Sequence, residues 1–218
     1  MTPDWTCILF DLDGTIADSA PGITSSLAWT LERLERPVPS PAELLHWVGP
    51  PILDSFRDRA GMSEKEAEHA LETYRPHYLA TGIFNSRVYP GVADLLQTIA
   101  ASPIPLSLAT SKPESLARVT LDYYSLAHCF DVLTGASEDE VRSSKADVVE
   151  EALRRLAASG ADISRPVMVG DRDYDVEGAA EHGVPTIFVE WGYGSVAERA
   201  GSIAAVATAA ELQALLLG

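Results

Sequence analysis

Lysine is scarce in this chain of 218 residues: Lys65, Lys112 and Lys145 are the whole supply. Basic residues are outnumbered two to one, 16 Lys and Arg against 32 Asp and Glu, for a net charge of −16. That balance excludes the electrostatic footprint of a nucleic-acid or anionic-membrane partner. Two cysteines, Cys7 and Cys129, are too few for a disulfide framework. Cys7 lies in an apolar run and Cys129 beside Phe130, so both are expected reduced and packed. Long hydrophobic runs are missing too. The most apolar late stretch, Ile203 to Ala210, falls short of the roughly 20 residues a membrane-spanning helix needs. The opening MTPDWTC has no basic segment followed by an apolar one, so no secretion signal is read and a cytoplasmic location is expected. His46, His69, His77, His128 and His182 show no metal-ligand spacing, which argues against zinc. There are no internal repeats and no low-complexity linker.

What the chain does have is 46% hydrophobic residues, ample for a core in one large domain or one domain plus a smaller one. Apolar strand candidates are Thr6–Phe10, Ile104–Ala109, Phe130–Thr134, Pro166–Val169 and Pro185–Val189, with a weaker sixth at Ala204–Val206. Helical patterns separate most of them, at Val92–Ala101, Pro113–Tyr124 and Ser144–Ala158. Strands alternating with helices predict an α/β fold, a parallel sheet with helices on both faces. One region breaks the alternation. Ile23–Arg36, Pro41–Trp47, Ile52–Ala60 and Glu64–Ala80 all read as helices, punctuated by Pro37, Pro39, Gly49-Pro50-Pro51 and Gly61. The expected organisation is a core of residues 1–17 and 85–218 with a helical insert, 18–84, between its two parts. An insert after the first strand overhangs the sheet's carboxyl edge, where ligands bind in such folds and where a lid is useful.

The most informative segment is Leu9-Phe10-Asp11-Leu12-Asp13-Gly14-Thr15. A buried strand here delivers two aspartates, one residue apart, on the same side of the chain. Carboxylates are rarely buried without a partner. A pair at a strand end asks for a cation, and an all-oxygen donor set favours Mg²⁺. Gly14 suits a sharp turn or a close backbone approach. Taken alone, the segment also reads as a solvated loop capping the next helix. Three further segments fit the same chemistry: the strand ending in Thr110-Ser111, Lys145 near the start of a helix, and Val169-Gly170-Asp171 followed by Asp175.

Together these segments resemble the haloacid dehalogenase superfamily of phosphotransferases, whose hallmarks are DxDx[TV], a strand ending in Ser or Thr, a Lys, and GDxxxD. All occur in order, and the resemblance spans essentially the whole chain. The run DLDGT-x-x-DS and a helical cap followed by Tyr89-Pro90-Gly91-Val92 resemble the phosphoglycolate phosphatase-like subgroup. The resemblance implies a Rossmann-like parallel-sheet core with an inserted helical-bundle cap, and a Mg²⁺-dependent phosphomonoester hydrolase acting on a small phosphorylated metabolite. Asp11 is then the nucleophile that forms an aspartyl-phosphate, and Asp13 the general acid and base. Metal ligands are Asp11, Asp171 and the backbone carbonyl of Asp13, with Asp175 behind them holding the metal site or Lys145. Thr110, the Ser111 backbone N–H and Lys145 hold the phosphoryl group. Lys112, two residues beyond Thr110, competes with Lys145, and the family spacing favours Lys145. The same spacing selects Asp175 over Asp173, which reads as a helix N-terminal cap. Asp18 reads as structural, at the hinge into the cap.

Relatives with other chemistry fit less well. Asp13 disfavours a dehalogenase. Lys65, the lone cap lysine, sits in Ser63-Glu64-Lys65-Glu66, a capping box on a solvated helix start, not a Schiff-base site. No His follows the DxD motif in Asp18-Ser19-Ala20-Pro21-Gly22, which disfavours a mutase. Trp47-Val48-Gly49-Pro50-Pro51 resembles the subgroup's specificity loop, with a plain helix–helix turn as the alternative. Arg33, Arg57, Arg59, Arg75 and Arg87 are candidates for a substrate carboxylate, and Trp47 or Phe56 for stacking on a nucleobase. A 5′-nucleotidase or inorganic pyrophosphatase on the same scaffold is the enzymatic alternative. A non-catalytic phosphometabolite-binding module is the alternative of another class.

Overall fold

A computed structural model describes residues 5–218. Residues 1–4, part of the expected core segment and of the N-terminal signal reading, lie outside the described residues. The chain runs β1 (Cys7–Phe10), β2 (Ala17–Asp18), α1 (Ala20–Arg33), α2 (Pro41–Leu45), α3 (Ile52–Asp54), α4 (Glu64–His77), β3 (Arg87–Val88), α5 (Val92–Ala100), β4 (Leu106–Pro113), α6 (Glu114–Tyr123), β5 (Val132–Ala136), α7 (Lys145–Ala158), β6 (Pro166–Gly170), α8 (Asp173–Ala180), β7 (Thr186–Val189), β8 (Ala204–Val206) and α9 (Ala209–Leu217). Single π-helical turns extend α3 through Ser55–Arg59 and α4 through Tyr78–Gly82.

Six parallel strands form one sheet in the order β5-β4-β1-β6-β7-β8, as the alternating pattern predicts. The alternation along β1 explains its central place. Ile8 and Phe10 enter the apolar cluster on one face, with residues of α5, α6 and α9. Cys7 and Leu9 enter the cluster on the other face, with residues of α7 and α8. A strand apolar on both sides is stable only between two helical layers. Chain order runs outward from β1 in both directions, so the carboxyl ends of β1, β4 and β6 border the crevice where such sheets bind ligands.

The residues between β2 and β3 are helical and carry an apolar cluster of their own, including Leu27, Leu31, Phe56, Leu71 and Tyr74. The Ser63 N–H donates to Glu66 Oε2 at 2.8 Å, giving the capping box read from sequence. Two strands were not expected. β2 and β3 pair antiparallel at the neck of the insert, where Arg87 meets Asp18 at 3.1 Å. Two residues each are too few for a period-two signal. β4 also runs past Ala109 to Pro113, with a register irregularity between Thr110 and Pro113, because backbone pairing continues where the apolar run stops.

Trp47 and Phe56 are fully buried and meet edge to face at 6.2 Å inside the insert. Neither is free to stack on a nucleobase: Phe56 lies in the helical turn after α3 and Trp47 in the turn that follows α2, and both pack into the insert's apolar cluster. Among the described residues no helix is long and apolar enough to cross a membrane. Both cysteines are free and buried, and burial, with Asp162 adding to it, pushes the Cys7 thiol up to about 11. Because the thiolate is the reactive form, a thiol-reactive dye at pH 8 is expected to label neither cysteine in the native protein and both in urea. Rapid native labelling of Cys7 would contradict this packing.

Candidate active site

β1 ends at Phe10 and delivers Asp11 to the sheet's carboxyl edge, where its N–H still donates to Val169 of β6 at 2.9 Å. β6 ends at Gly170 and delivers Asp171 beside it. Gly14 permits the approach: it has φ of +96°, and a Cβ there would lie 2.3 Å from the Asp171 carboxylate. Thr15 Oγ1 donates to Asp171 Oδ1 at 3.0 Å and the Tyr193 N–H to Oδ2 at 2.7 Å. Lys145 is the first residue of α7, after the Ser144 cap. Its ammonium donates to Asp11 Oδ1 at 2.7 Å and to the Ala109 carbonyl at 3.1 Å, and forms an ion pair with Asp175 Oδ1 at 2.7 Å. Asp175 Oδ2 accepts from the Asp171 and Arg172 N–H groups, each at 3.0 Å.

Asp11, Asp171, Asp175 and Lys145 are therefore one buried cluster. Thr110 and Ser111 are buried at the end of β4, the strand beside β1. The carboxylate of Asp13 stands apart and pairs with Lys112, whose ammonium lies 3.1 and 3.0 Å from its two oxygens. The choice between two lysines read from sequence is thus not exclusive: each serves a different aspartate. Asp173 does not cap α8. It is the first helical residue, and the Asp175 side chain takes the Arg172 N–H at the helix start.

Sequence reasoning missed the groups that tie the insert to this cluster. Tyr78 Oη accepts from the Lys112 ammonium at 2.7 Å, and its ring stacks on Tyr74 with centroids 5.4 Å apart. Arg172 donates to the Val48 carbonyl in the Trp47–Pro51 loop and to Glu198 Oε2 at 2.6 Å. Tyr193 Oη donates to Asp18 Oδ1 at 3.1 Å and accepts from the Ala20 N–H at 2.8 Å. The sequence marked Lys112, the Trp47–Pro51 loop and Asp18, but not their partners Tyr78, Arg172 and Tyr193. Gly49, Pro50 and Pro51 of the loop border two openings: a recess of about 40 Å³ beyond Asp13 and a cleft of about 520 Å³ on the Lys145 side. Arg33 lies over Trp29, and Arg57, Arg75 and Arg87 are each paired with a carboxylate.

A model of the haloacid dehalogenase-like hydrolase family matches residues 8–189. The chain is 42% identical over 187 residues to the tyrosine-protein kinase PtkA of Mycobacterium tuberculosis, covering 86% of this chain and 62% of that one. It therefore spans less than two thirds of that relative. It is 38% identical over 189 residues to a 5′-nucleotidase of Pseudomonas aeruginosa, covering 86% of this chain and 84% of that one. It is 31% identical to a phosphoglycolate phosphatase of Pseudomonas syringae, over 85% of this chain and 70% of that one. Among solved structures, a predicted phosphatase from Clostridium acetobutylicum superposes with a TM-score of 0.89 at 35% identity, over 98% of both chains.

Charge in the cluster is unbalanced. Asp11, Asp171 and Asp175 place oxygens within 4.8 Å of one another, and Lys145 offsets one of three negative charges. Burial pushes Asp11 up to about 6, against the pull of Lys145 and with the Asp175 charge adding to the rise. Burial, then Asp175 and Asp11, also hold Asp171 well above the usual carboxylate range. Lys145 is raised: burial opposes its charge, but Asp11 and Asp175 outweigh that. A divalent, oxygen-preferring cation fits the remaining deficit. Without one, ionised Asp11 costs stability above about pH 6, and the cost vanishes below its unfolded value of 3.8. Asp11→Asn is thus expected to raise the urea midpoint of the metal-free protein at pH 7.5, with the advantage fading toward pH 4. A pH-independent difference would contradict the shift.

Proposed function

Because this chain belongs to the haloacid dehalogenase-like hydrolase family, we propose that it is a Mg²⁺-dependent phosphomonoester hydrolase working through an aspartyl-phosphate on Asp11. The observation that carries this reading is the Asp11 carboxylate, held at a sheet edge by Lys145, with Asp171 and the end of β4 around it. Phosphoryl transfer needs in-line geometry, neutralised oxygens and a protonated leaving group. Asp11 attacks phosphorus, and the bond to the leaving oxygen breaks as the Asp11–phosphorus bond forms. Asp13 gives its proton to that oxygen, then takes one from the water that hydrolyses the intermediate. Thr110, the Ser111 N–H and Lys145 hold the transferring group.

Magnesium would be held by Asp11, Asp171 and the backbone carbonyl of Asp13, with Asp175 fixing Lys145 and the backbone at Asp171. When bound, the ion supplies positive charge that keeps Asp11 ionised and offsets charge on the phosphoryl oxygens. We assign residues 18–84 as a cap over a core of 1–17 and 85–218. The insert's own apolar cluster and its contacts through Tyr78 and Val48 support that division. The phosphatase, nucleotidase and phosphoglycolate phosphatase names of the relatives support the reaction class.

The test is phosphate release from a panel of monoesters, with Mg²⁺ and with EDTA. Release is expected with Mg²⁺ alone. Asp11→Asn should abolish it in a folded protein, and Asp13→Asn should lower kcat by about 10²- to 10⁴-fold. Binding of esters without release would favour the binding-module alternative. Transfer from ATP to a tyrosine peptide, with no hydrolysis, would overturn the hydrolase assignment.

A further inference from the structure

Asp11, Asp171 and Asp175 are fixed by donors outside the insert. Asp11 is held by Lys145, Asp171 by Thr15 and the Tyr193 N–H, and Asp175 by the Asp171 and Arg172 N–H groups. Asp13 differs. Among the described residues, the one donor that reaches its carboxylate oxygens is the Lys112 ammonium, at 3.1 and 3.0 Å. Lys112 lies in the irregular stretch of β4 between Thr110 and Pro113, and its side chain is anchored in turn by the insert. It donates to Tyr78 Oη at 2.7 Å and lies 4.7 Å from the centre of that ring. The ring has little freedom of its own. It is buried, stacks on Tyr74, and packs so closely on Gly82 that a Cβ there would lie 2.3 Å from Tyr78 Cδ2. Tyr78 also opens a π-helical turn, a local widening of the helix that recurs at functional sites.

We propose that Tyr78 is a positioning residue for Asp13: through Lys112, this hydroxyl of the insert aims the Asp13 carboxyl at the leaving oxygen of the substrate. The proposal rests on the hydrolase reading above and names the group that places its acid. A proton on Asp13 does not break the chain of contacts. Lys112 stands equally near both carboxyl oxygens, so one oxygen carries the proton toward the substrate while the other still accepts from the ammonium. That proton passes from Asp13 to the leaving oxygen as its bond to phosphorus breaks, and the ammonium and the phenol keep theirs throughout. Placement matters because the acid must lie within hydrogen-bond reach of the oxygen it protonates. A misplacement of about 1 Å can cost about 10²-fold in rate. Tyr78 thereby acts on the reaction without touching the reacting atoms.

The test compares ethyl phosphate with acetyl phosphate, using the Mg²⁺-loaded full chain. The two substrates are close in size, but acetate departs as the free anion, whereas the ethyl ester needs a proton on its leaving oxygen. Tyr78→Phe keeps the ring and its stack on Tyr74 and removes only the hydroxyl. It is expected to lower the ratio of kcat/KM for ethyl phosphate to kcat/KM for acetyl phosphate by about tenfold or more. Lys112→Met should lower the ratio as well. The double variant should fall no further than Lys112→Met alone, since the hydroxyl acts through the ammonium. A hydroxyl that only satisfied a buried ammonium would slow both substrates alike. An unchanged ratio in either variant, shown folded by circular dichroism, or two effects that add in the double variant, overturns the proposal. So does release from acetyl phosphate but not from ethyl phosphate by the unaltered protein, because no acid is then at work. If the unaltered protein hydrolyses neither, the hydrolase reading falls and the proposal with it, an outcome distinct from hydrolysis whose ratio the variants leave unmoved.

Discussion

The structure turns on one buried ammonium. Lys145 is the point at which Asp11 from β1 and Asp175 from α8 become compatible with each other in a dry site. Three carboxylates in an apolar setting repel, and each also loses its hydration. The fold answers with one lysine, two backbone N–H groups on Asp175, and an N–H and a hydroxyl on Asp171. Those donors arrive from α7, from the start of α8, from the Thr15 turn and from the segment after β7. The sheet order, which sets β6 directly against β1, is what lets them converge. Gly14 belongs to the same constraint, because any side chain there would occupy the space of the Asp171 carboxylate.

The insert is positioned by polar contacts that end at this cluster. Lys112 joins Asp13 to Tyr78, Arg172 joins the turn between β6 and α8 to the Val48 carbonyl, and Tyr193 joins the Asp171 carboxylate to the start of α1. Each tie is between groups that are buried or nearly so. Losing any of them exposes an unpaired polar atom to an apolar setting. The insert's position is therefore coupled to the arrangement of the aspartates. Apolar contact alone would hold the insert without fixing its register, whereas directional hydrogen bonds do fix it.

The strands that place the cluster were legible in the sequence because apolar runs of the right length alternate with amphipathic helices. Asp11, Asp171, Lys145 and Thr110 were legible because each follows or opens such an element at a characteristic spacing. The ties to the insert were not. Tyr78 reads as one more aromatic on a helical stripe, and Arg172 as a solvated residue in an acidic turn. Their roles depend on distances across more than 30 intervening residues for Lys112 and Tyr78, and more than 120 for Arg172 and Val48. Local periodicity carries no such information. The same limit explains Trp47 and Phe56: in the sequence, an aromatic that packs inward looks the same as one that lines a ligand site. Asp173 was misread for a subtler reason. The helix starts one residue earlier than that reading assumed, so Asp173 falls in its first turn, where its carboxylate accepts the Tyr174 N–H at 2.9 Å.

The anionic substrate of the proposed reaction and a chain of net charge −16 are reconcilable on grounds of range. At physiological ionic strength, charges beyond about 8 Å are largely screened, so the distant acidic surface weighs little at the site. Close in, two of the three lysines are buried within hydrogen-bond reach of the aspartates, while Lys65 is exposed on the insert. Neither buried lysine is free, however: Lys145 is shared by two carboxylates, and Lys112 is matched to Asp13. On the proposed hydrolase reading, the positive charge that draws in a phosphate would come from a cation held by the excess carboxylates. The acidity of the cluster, which by itself would repel the substrate, is on this argument the means by which the site acquires the opposite sign.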